Sequence, residues 1–277
     1  MVGFVDVGGG MRAVYTCGIY DHLMDEGIKP EYCIGVSAGS ANLITYMANQ
    51  RGRNKRFYLD YAQRDEYMGL RLFLKKQVFF DLEYVYKTLS NSDGEDPFDF
   101  EAASSADCQF FAVATNASNG KAEYLDFSRI SQDDYTVLEA SCAIPLACPP
   151  IKIGDKTYFD GGIAEPVPYK KAFEDGCDKV VVALTKPIDE LKKKGPDFSA
   201  LKSFNEQYPK VTEAMLKMHE KYNNSLSELK ELEKDGKVLI VSPDDRCNVN
   251  TVTRNIQSLN KLYAKGFDDA EKIIKFI

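Results

Sequence analysis

Histidine is scarce in this chain of 277 residues: only His22 and His219 are present. A serine protease-type triad places a histidine between nucleophile and carboxylate, so any such reading rests on one of two positions. The seven cysteines are odd in number and form no C-x-x-C pair. That excludes a disulfide frame and a zinc ribbon, and predicts buried free thiols in a reducing cytoplasm. No apolar run approaches the ~20 residues of a membrane span. Nor does a basic segment followed by a long apolar core open the chain as a secretory signal would. Internal repeats and low-complexity tracts are also missing, and the net charge of -7 argues against general nucleic-acid binding. The expected setting is the cytoplasm.

What is present is ordinary for a globular protein, with 44% hydrophobic and 28% charged residues. The length suffices for one large α/β domain. Gly35-Val36-Ser37-Ala38-Gly39 has the G-x-S-x-G form of a nucleophile elbow, a strand-to-helix turn that exposes a serine hydroxyl. Tyr32 to Val36 read as a buried strand, and the stretch from Ser40 to Met47 as the helix behind it. Glycine at 35 and 39 is expected to permit the strained turn and close helix packing.

One strand earlier, Gly3 to Val7 run into Gly8-Gly9-Gly10-Met11-Arg12 and then a helix through Met24. A triple glycine there leaves backbone N–H groups uncovered at a positive helix end. Such groups hold an anion, either a phosphate or the oxyanion of acyl transfer. The run lacks both the third glycine of G-x-G-x-x-G and a P-loop lysine, so the oxyanion reading is preferred and no cofactor or metal is expected.

Further along, residues 51–107 mix aromatics with arginine and lysine and read as a helical cover on the sheet. Within it, Leu70 to Lys76 form an amphipathic segment that either faces lipid or packs on the core. Strands are expected at 108–115 and 122–127 around Asn119-Gly120, at 151–159 as a hairpin, and at 179–184 and 237–241. The hairpin delivers Asp160-Gly161-Gly162, an aspartate leaving a strand where the chain turns sharply. Residues 190–235 are charged and helix-like, with Val211, Met215, Met218, Tyr222, Leu226 and Leu229 in one apolar stripe, and 256–277 close the chain as a helix.

Two serine chemistries fit. The order Ser37, Asp160, His219 matches that of α/β-hydrolases, but His219 falls on a charged amphipathic helix and the elbow follows a single strand. Without a histidine, Asp160 is the best base, since partial desolvation raises a carboxylate's pKa into a useful range.

Taken together, Gly8 to Arg12, Gly35 to Gly39, Ala140-Ser141 with Pro145 and Pro149-Pro150, and Asp160 to Gly162 with Pro166 resemble the patatin-like phospholipase family, in its compact bacterial form. The resemblance implies a three-layer α/β/α sandwich with a mainly parallel central sheet. It also implies a Ser37–Asp160 dyad and an oxyanion loop of Gly8, Gly9, Gly10 and Met11. Arg12, Gly35, Gly39, Gly161 and Gly162 become its supports. A lipid acyl ester is the implied substrate, with transient contact to a membrane surface and no nucleic-acid partner. The chain is then one domain over 1–277, with 51–107 as cover and 190–277 as a helical and strand extension. Ala13 stands where the family usually has glycine, a change expected to narrow the loop. The competing readings are a lipid-binding or regulatory module on the same fold and a triad esterase using His219.

Overall fold

In the computed structural model, which describes residues 1–195 and 202–277, short apolar runs become the strands of one sheet. The chain begins with β1 (Val2–Asp6), a 3-10 turn (Gly10–Ala13), α1 (Val14–Asp25), β2 (Tyr32–Val36) and α2 (Ala38–Met47). The cover follows as α3 (Arg53–Leu59), α4 (Leu70–Lys76), a π-helical turn (Tyr84–Leu89) and α5 (Phe100–Ser104). Next come β3 (Gln109–Asn116), β4 (Ala122–Asp126), α6 (Thr136–Cys142), β5 (Ile151–Ile153), β6 (Lys156–Asp160) and α7 (Tyr169–Glu174). The last elements are β7 (Lys179–Ala183), α8 (Lys202–Gln207), α9 (Pro209–Lys234), β8 (Val238–Val241) and α10 (Ile256–Ile274).

The eight-stranded sheet has the order β5-β6-β3-β2-β1-β7-β8, with β4 also on β3. The run from β3 to β8 is parallel, and β4, β5 and β6 join antiparallel. Side chains alternate across the central strands. Phe4, Cys33, Phe110 and Val181 enter one core with Tyr15 and Ile19 of α1 and Leu43 of α2. Val5, Ile34, Val113 and Val180 enter the other, with Tyr169 of α7 and Tyr222, Leu226 and Leu229 of α9. Burial on both faces is why these strands read as unbroken apolar runs. The outcome is the expected three-layer α/β/α arrangement.

On the first face α10 lies directly against α1. A Cβ on Gly266 would sit 1.8 Å from the Tyr15 carbonyl oxygen, so only glycine admits so close a crossing. On the other side of the sheet's centre, β8 extends the sheet beside β7.

The cover resolves the lipid-or-core alternative by residue. Phe57, Tyr58, Tyr61 and Tyr86 are buried, whereas Leu70 and Leu74 on α4 are 68% and 70% exposed. Helix was expected across 190–235; the described part of it is α8 and α9, residues 192–195 are not helical, and 196–201 lie outside the described residues. In the predicted stripe Val211, Tyr222, Leu226 and Leu229 are buried, and Met215 and Met218 are half-buried.

Candidate active site

Register brings the elbow and the aspartate together. Val36 pairs with Val113 on β3, and the next residue, Ala114, pairs with Asp160; β4 takes the other side of β3 at both positions, so β2 and β6 follow one another along the same side. The end of β2 that leads into Ser37 and the end of β6 at Asp160 therefore meet head-on beside β3.

The elbow's strain lies on the serine. Ser37 has φ 55 and ψ -132, a conformation that costs a non-glycine residue roughly 1–3 kcal/mol. Gly35 and Gly39 do not share that positive φ; they act through their lack of bulk. A Cβ on Gly35 would lie 2.3 Å from Ser40 Cα, and one on Gly39 would lie 2.5 Å from the Asp6 carbonyl oxygen. Hydrogen bonds hold the strained residue on both sides. The Ser37 N–H donates to Ser141 Oγ at 3.0 Å, and that hydroxyl donates to the Val113 carbonyl at 2.7 Å. The Ser37 carbonyl accepts from the Ser40 hydroxyl at 2.7 Å.

The glycine loop is shaped from both sides too. Gly8, Gly9 and Gly10 have φ of 63, 128 and 59, and at 128 glycine is the only residue without serious strain. Buried Asp6 accepts the Gly8 N–H at 2.9 Å and the Tyr20 hydroxyl at 3.1 Å. Burial raises the Asp6 pKa from 3.8 to about 6. The Met11 N–H donates to the Thr251 carbonyl at 3.1 Å. This corrects the expected four-donor oxyanion loop: Gly8 and Met11 are already engaged within the protein. Gly9 and Gly10 keep N–H groups without an acceptor among the described residues, and both line the cleft at Ser37. Arg12 donates from Nη1 to Thr251 Oγ1 at 2.8 Å, and its buried Nε has no partner among the described residues. Ala13 adopts φ -69 and is fully buried, so the backbone there makes no demand for glycine.

Asp160 is clamped through its backbone. Its N–H donates to the Ala143 carbonyl at 2.9 Å, and its carbonyl accepts from Thr115 Oγ1 at 2.7 Å. The carboxylate accepts the Gly162 N–H at 2.8 Å, and Gly161 lets the chain pass where a Cβ would meet the Val113 carbonyl at 2.1 Å. Burial raises the Asp160 pKa above the ordinary carboxylate value, while the Ser37 hydroxyl, the Gly162 N–H and the charge of Lys192 oppose the rise. Among the described residues, Ser37 Oγ nevertheless donates no hydrogen bond.

Two cavities meet at Ser37. One is an apolar chamber under the cover, walled by Phe57, Tyr58, Phe80, Val85 and Tyr86. The other is a cleft that holds Asp160, Lys192, Thr251, Gly9 and Gly10 among apolar side chains, including Ile144, Ile163, Met215 and Met218. Ser37, Gly10 and Ile144 belong to both. His219 lines neither; its acidic neighbour is Glu220 at 3.9 Å. His22 is bonded to the Phe267 carbonyl at 2.6 Å, on the α1–α10 contact.

Asp6, Ser141, Thr251 and Lys192 were not singled out for roles by sequence reasoning. Asp6 carried a signal, a carboxylate ending an apolar strand just before the triple glycine. Thr251 and Lys192 carried none, because they reach the site from distant segments.

An elbow serine and a buried aspartate thus stand together on a mainly parallel sheet of an α/β protein. The patatin-like phospholipase family model matches residues 7–173, more than half the chain, and the protein belongs to that family. A domain of unknown function, DUF6363, matches residues 208–277. The chain is similar to the uncharacterized protein YjjU of Escherichia coli K12, at 27% identity over 201 residues, covering 67% of this chain and 52% of that one. It thus spans about half the length of that relative. A crystal structure of VipD from Legionella pneumophila aligns with 99% of this chain and 66% of its own, at 13% identity and a TM-score of 0.46.

Proposed function

We propose that the protein hydrolyses lipid acyl esters through a Ser37–Asp160 dyad. The observation that carries this reading is the placement of Ser37 where the apolar chamber meets the cleft that holds Asp160 and Lys192. An amphiphilic ester laid across that junction puts its acyl chain in the chamber, its carbonyl at Ser37 and its polar part in the cleft.

Ser37 Oγ attacks the ester carbonyl as Asp160 takes its proton. The Gly9 and Gly10 N–H groups receive the tetrahedral oxyanion, where preorganised donors contribute most. Asp160 then returns the proton to the leaving alcohol. Asp160 next deprotonates water, which attacks the acyl-enzyme, and Ser37 recovers its proton as the acid departs. A raised carboxylate pKa favours both transfers, and a Ser37–Asp160 hydrogen bond is expected to form on substrate binding.

The cover and the C-terminal extension belong to this same unit, one supplying chamber walls and the other Thr251 and the α9 face of the cleft. Among the described residues no helix is long and apolar enough to cross a membrane, and contact with lipid is assigned to the exposed leucines of α4. A reducing compartment suits the seven free cysteines.

The test is hydrolysis of a short p-nitrophenyl ester. Ser37→Ala and Asp160→Asn are each expected to lower kcat by about a thousand-fold or more. Either variant, folded and as active as the parent, would overturn the dyad. His219→Ala is expected to stay within about two-fold of the parent, whereas a triad would lose most of its rate.

A further inference from the structure

Helix α2 runs from the nucleophile along one wall of the apolar chamber. Ala38, Ala41 and Asn42 line that wall, and Thr45 follows them on the same stripe, since residues three and four apart share a helix face. Thr45 stands eight residues beyond Ser37, about 12 Å along the helix axis. There the chamber meets a cation. Arg53 of α3, which also lines the chamber, reaches Thr45 Oγ1 from Nη1 at 3.5 Å. Its guanidinium carbon is 4.5 Å from the centre of the Phe57 ring, itself one of the chamber's apolar walls.

This arginine is only 6% exposed and incompletely paired. Nη2 donates to Ser90 Oγ at 2.8 Å and to the Asp96 carbonyl at 3.0 Å, whereas Nε has no hydrogen-bond partner among the described residues. The Asp96 carboxylate lies 3.6 Å from Nε but is already taken. Arg56 donates to it twice, at 2.6 and 2.9 Å, and the Tyr61 hydroxyl once, at 3.1 Å. Two arginines thus share one buried carboxylate, and no second acid among the described residues pairs with either. Burial lowers the Arg53 pKa from 12.5 to about 10, with Asp96 opposing the fall and Arg56 adding to it, so the guanidinium stays charged at neutral pH. Tyr67 lines the same chamber, and its hydroxyl makes no hydrogen bond among the described residues. Burial raises the Tyr67 pKa and the Arg53 charge opposes that rise, so the phenol lies within the guanidinium's field.

An incompletely balanced cation is costly beside apolar walls. An alkyl chain ending in a methyl group leaves the guanidinium and the phenol as they are. A carboxylate brought in at the end of a chain removes the cost, because it accepts charge-assisted hydrogen bonds from a guanidinium and has lone pairs left for a phenol. We infer that Arg53 and Tyr67 form a carboxylate subsite in the part of the chamber remote from Ser37, and that the preferred acyl group carries an acid at its far end. This rests on the hydrolase reading and deepens it, turning a general acyl chamber into one selective for half-esters of dicarboxylic acids.

The experiment compares kcat/KM for two p-nitrophenyl esters of equal, medium acyl length, one ending in a methyl group and one in a carboxylate, in the parent, Arg53→Met, Arg53→Lys and Tyr67→Phe. In parallel, calorimetry on Ser37→Ala, with and without each substitution, measures binding of two uncleaved probes: the monomethyl ester of the dicarboxylic acid, and the monocarboxylic fatty acid of that length. The parent is expected to prefer the carboxylate-ended ester. That preference is expected to fall about ten-fold or more in Arg53→Met, to survive in Arg53→Lys, and to fall about three-fold in Tyr67→Phe. Affinity for the monomethyl ester is expected to weaken in step. Arg53 also ties α3 to Ser90 and Asp96, so Tyr67→Phe, which removes only an unbonded hydroxyl, decides the matter where Arg53→Met fails to fold. No preference in the parent, together with binding indifferent to Arg53 and Tyr67, overturns the subsite. Arg53-dependent binding of the fatty acid without a preference among the esters overturns the assignment to the acyl chain and makes a free acid the occupant. If the parent cleaves neither ester, the hydrolase reading fails by itself and the calorimetry still decides the subsite.

Discussion

Ser141 Oγ accepts the Ser37 N–H at 3.0 Å and passes its own proton to the Val113 carbonyl at 2.7 Å. This one hydroxyl ties the strained elbow to β3, the strand that also carries the Asp160 side of the site. Ser141→Ala leaves a buried N–H and a buried carbonyl without that partner, at a cost of about 1–3 kcal/mol. The expected outcome is a lower urea midpoint together with slower labelling of Ser37 by a fluorophosphonate. A variant labelled at the parent's rate would show that the elbow holds its geometry without the strut.

The oxyanion loop makes a sharper prediction. Gly9 has φ 128, and a Cβ there would sit 2.6 Å from Thr185 Oγ1 and 2.9 Å from an Arg12 nitrogen. Gly9→Ala must rotate the peptide, moving one of the two N–H groups that remain available. Loss of one oxyanion donor lowers kcat by about 10²–10³. Because the groups that bind the acyl chain are untouched, KM is expected to change little. Steady-state kinetics on a soluble ester separate the two parameters, and an unchanged kcat would remove Gly9 from the oxyanion site.

Protonation gives two tests of opposite kind. Asp160 works as a base only when ionised, and burial raises its pKa. Activity should therefore fall with decreasing pH along an acid limb that lies above the ordinary aspartate value of ~3.9. A limb at or below that value would contradict a buried base. Asp6 affects stability. Its folded pKa of about 6 exceeds the reference of 3.8, so the folded state holds the proton more tightly than the unfolded chain. Its stabilising contribution is complete below about 3.8 and is lost as pH rises through about 6. Asp6→Asn removes that titration while keeping an amide oxygen for the Gly8 N–H. Relative to the parent, the variant should gain on the order of 2 kcal/mol between pH 4 and pH 7 in urea unfolding. A parallel pair of stability curves would sink the assignment.

The central sheet, the elbow at Ser37 and the turn at Asp160 were legible because each depends on residues close together in sequence. A strand buried on both faces leaves an apolar run, an elbow leaves G-x-S-x-G, and Asp160 is marked by the two glycines beside it. The glycine loop was legible as a turn after β1, but not the partners of its N–H groups. Only the fold brings Thr251 to the Met11 N–H and Asp6 to the Gly8 N–H, so the number of available donors could not be read locally. The strain at the elbow was likewise assigned to Gly35 and Gly39, whereas close packing is what those residues allow.

Helix α4 is short and presents Leu70 and Leu74 to solvent, with Arg71, Lys75 and Lys76 around them. The same helix buries Leu72, so the segment is anchored while its outer ridge stays uncovered. Arg71 and Lys76 pair with Asp65 and Asp81, so the two exposed leucines, with Lys75 beside them, suit a bilayer interface chiefly through apolar insertion. Partial burial of each leucine is worth about 1 kcal/mol, so Leu70→Ser with Leu74→Ser should weaken binding to phosphatidylglycerol-containing vesicles by about ten-fold or more. Cosedimentation of the Ser37→Ala protein, which binds without turning over the lipid, reads this directly. Vesicle binding as strong in the double variant as in the parent would move the lipid-facing surface away from α4.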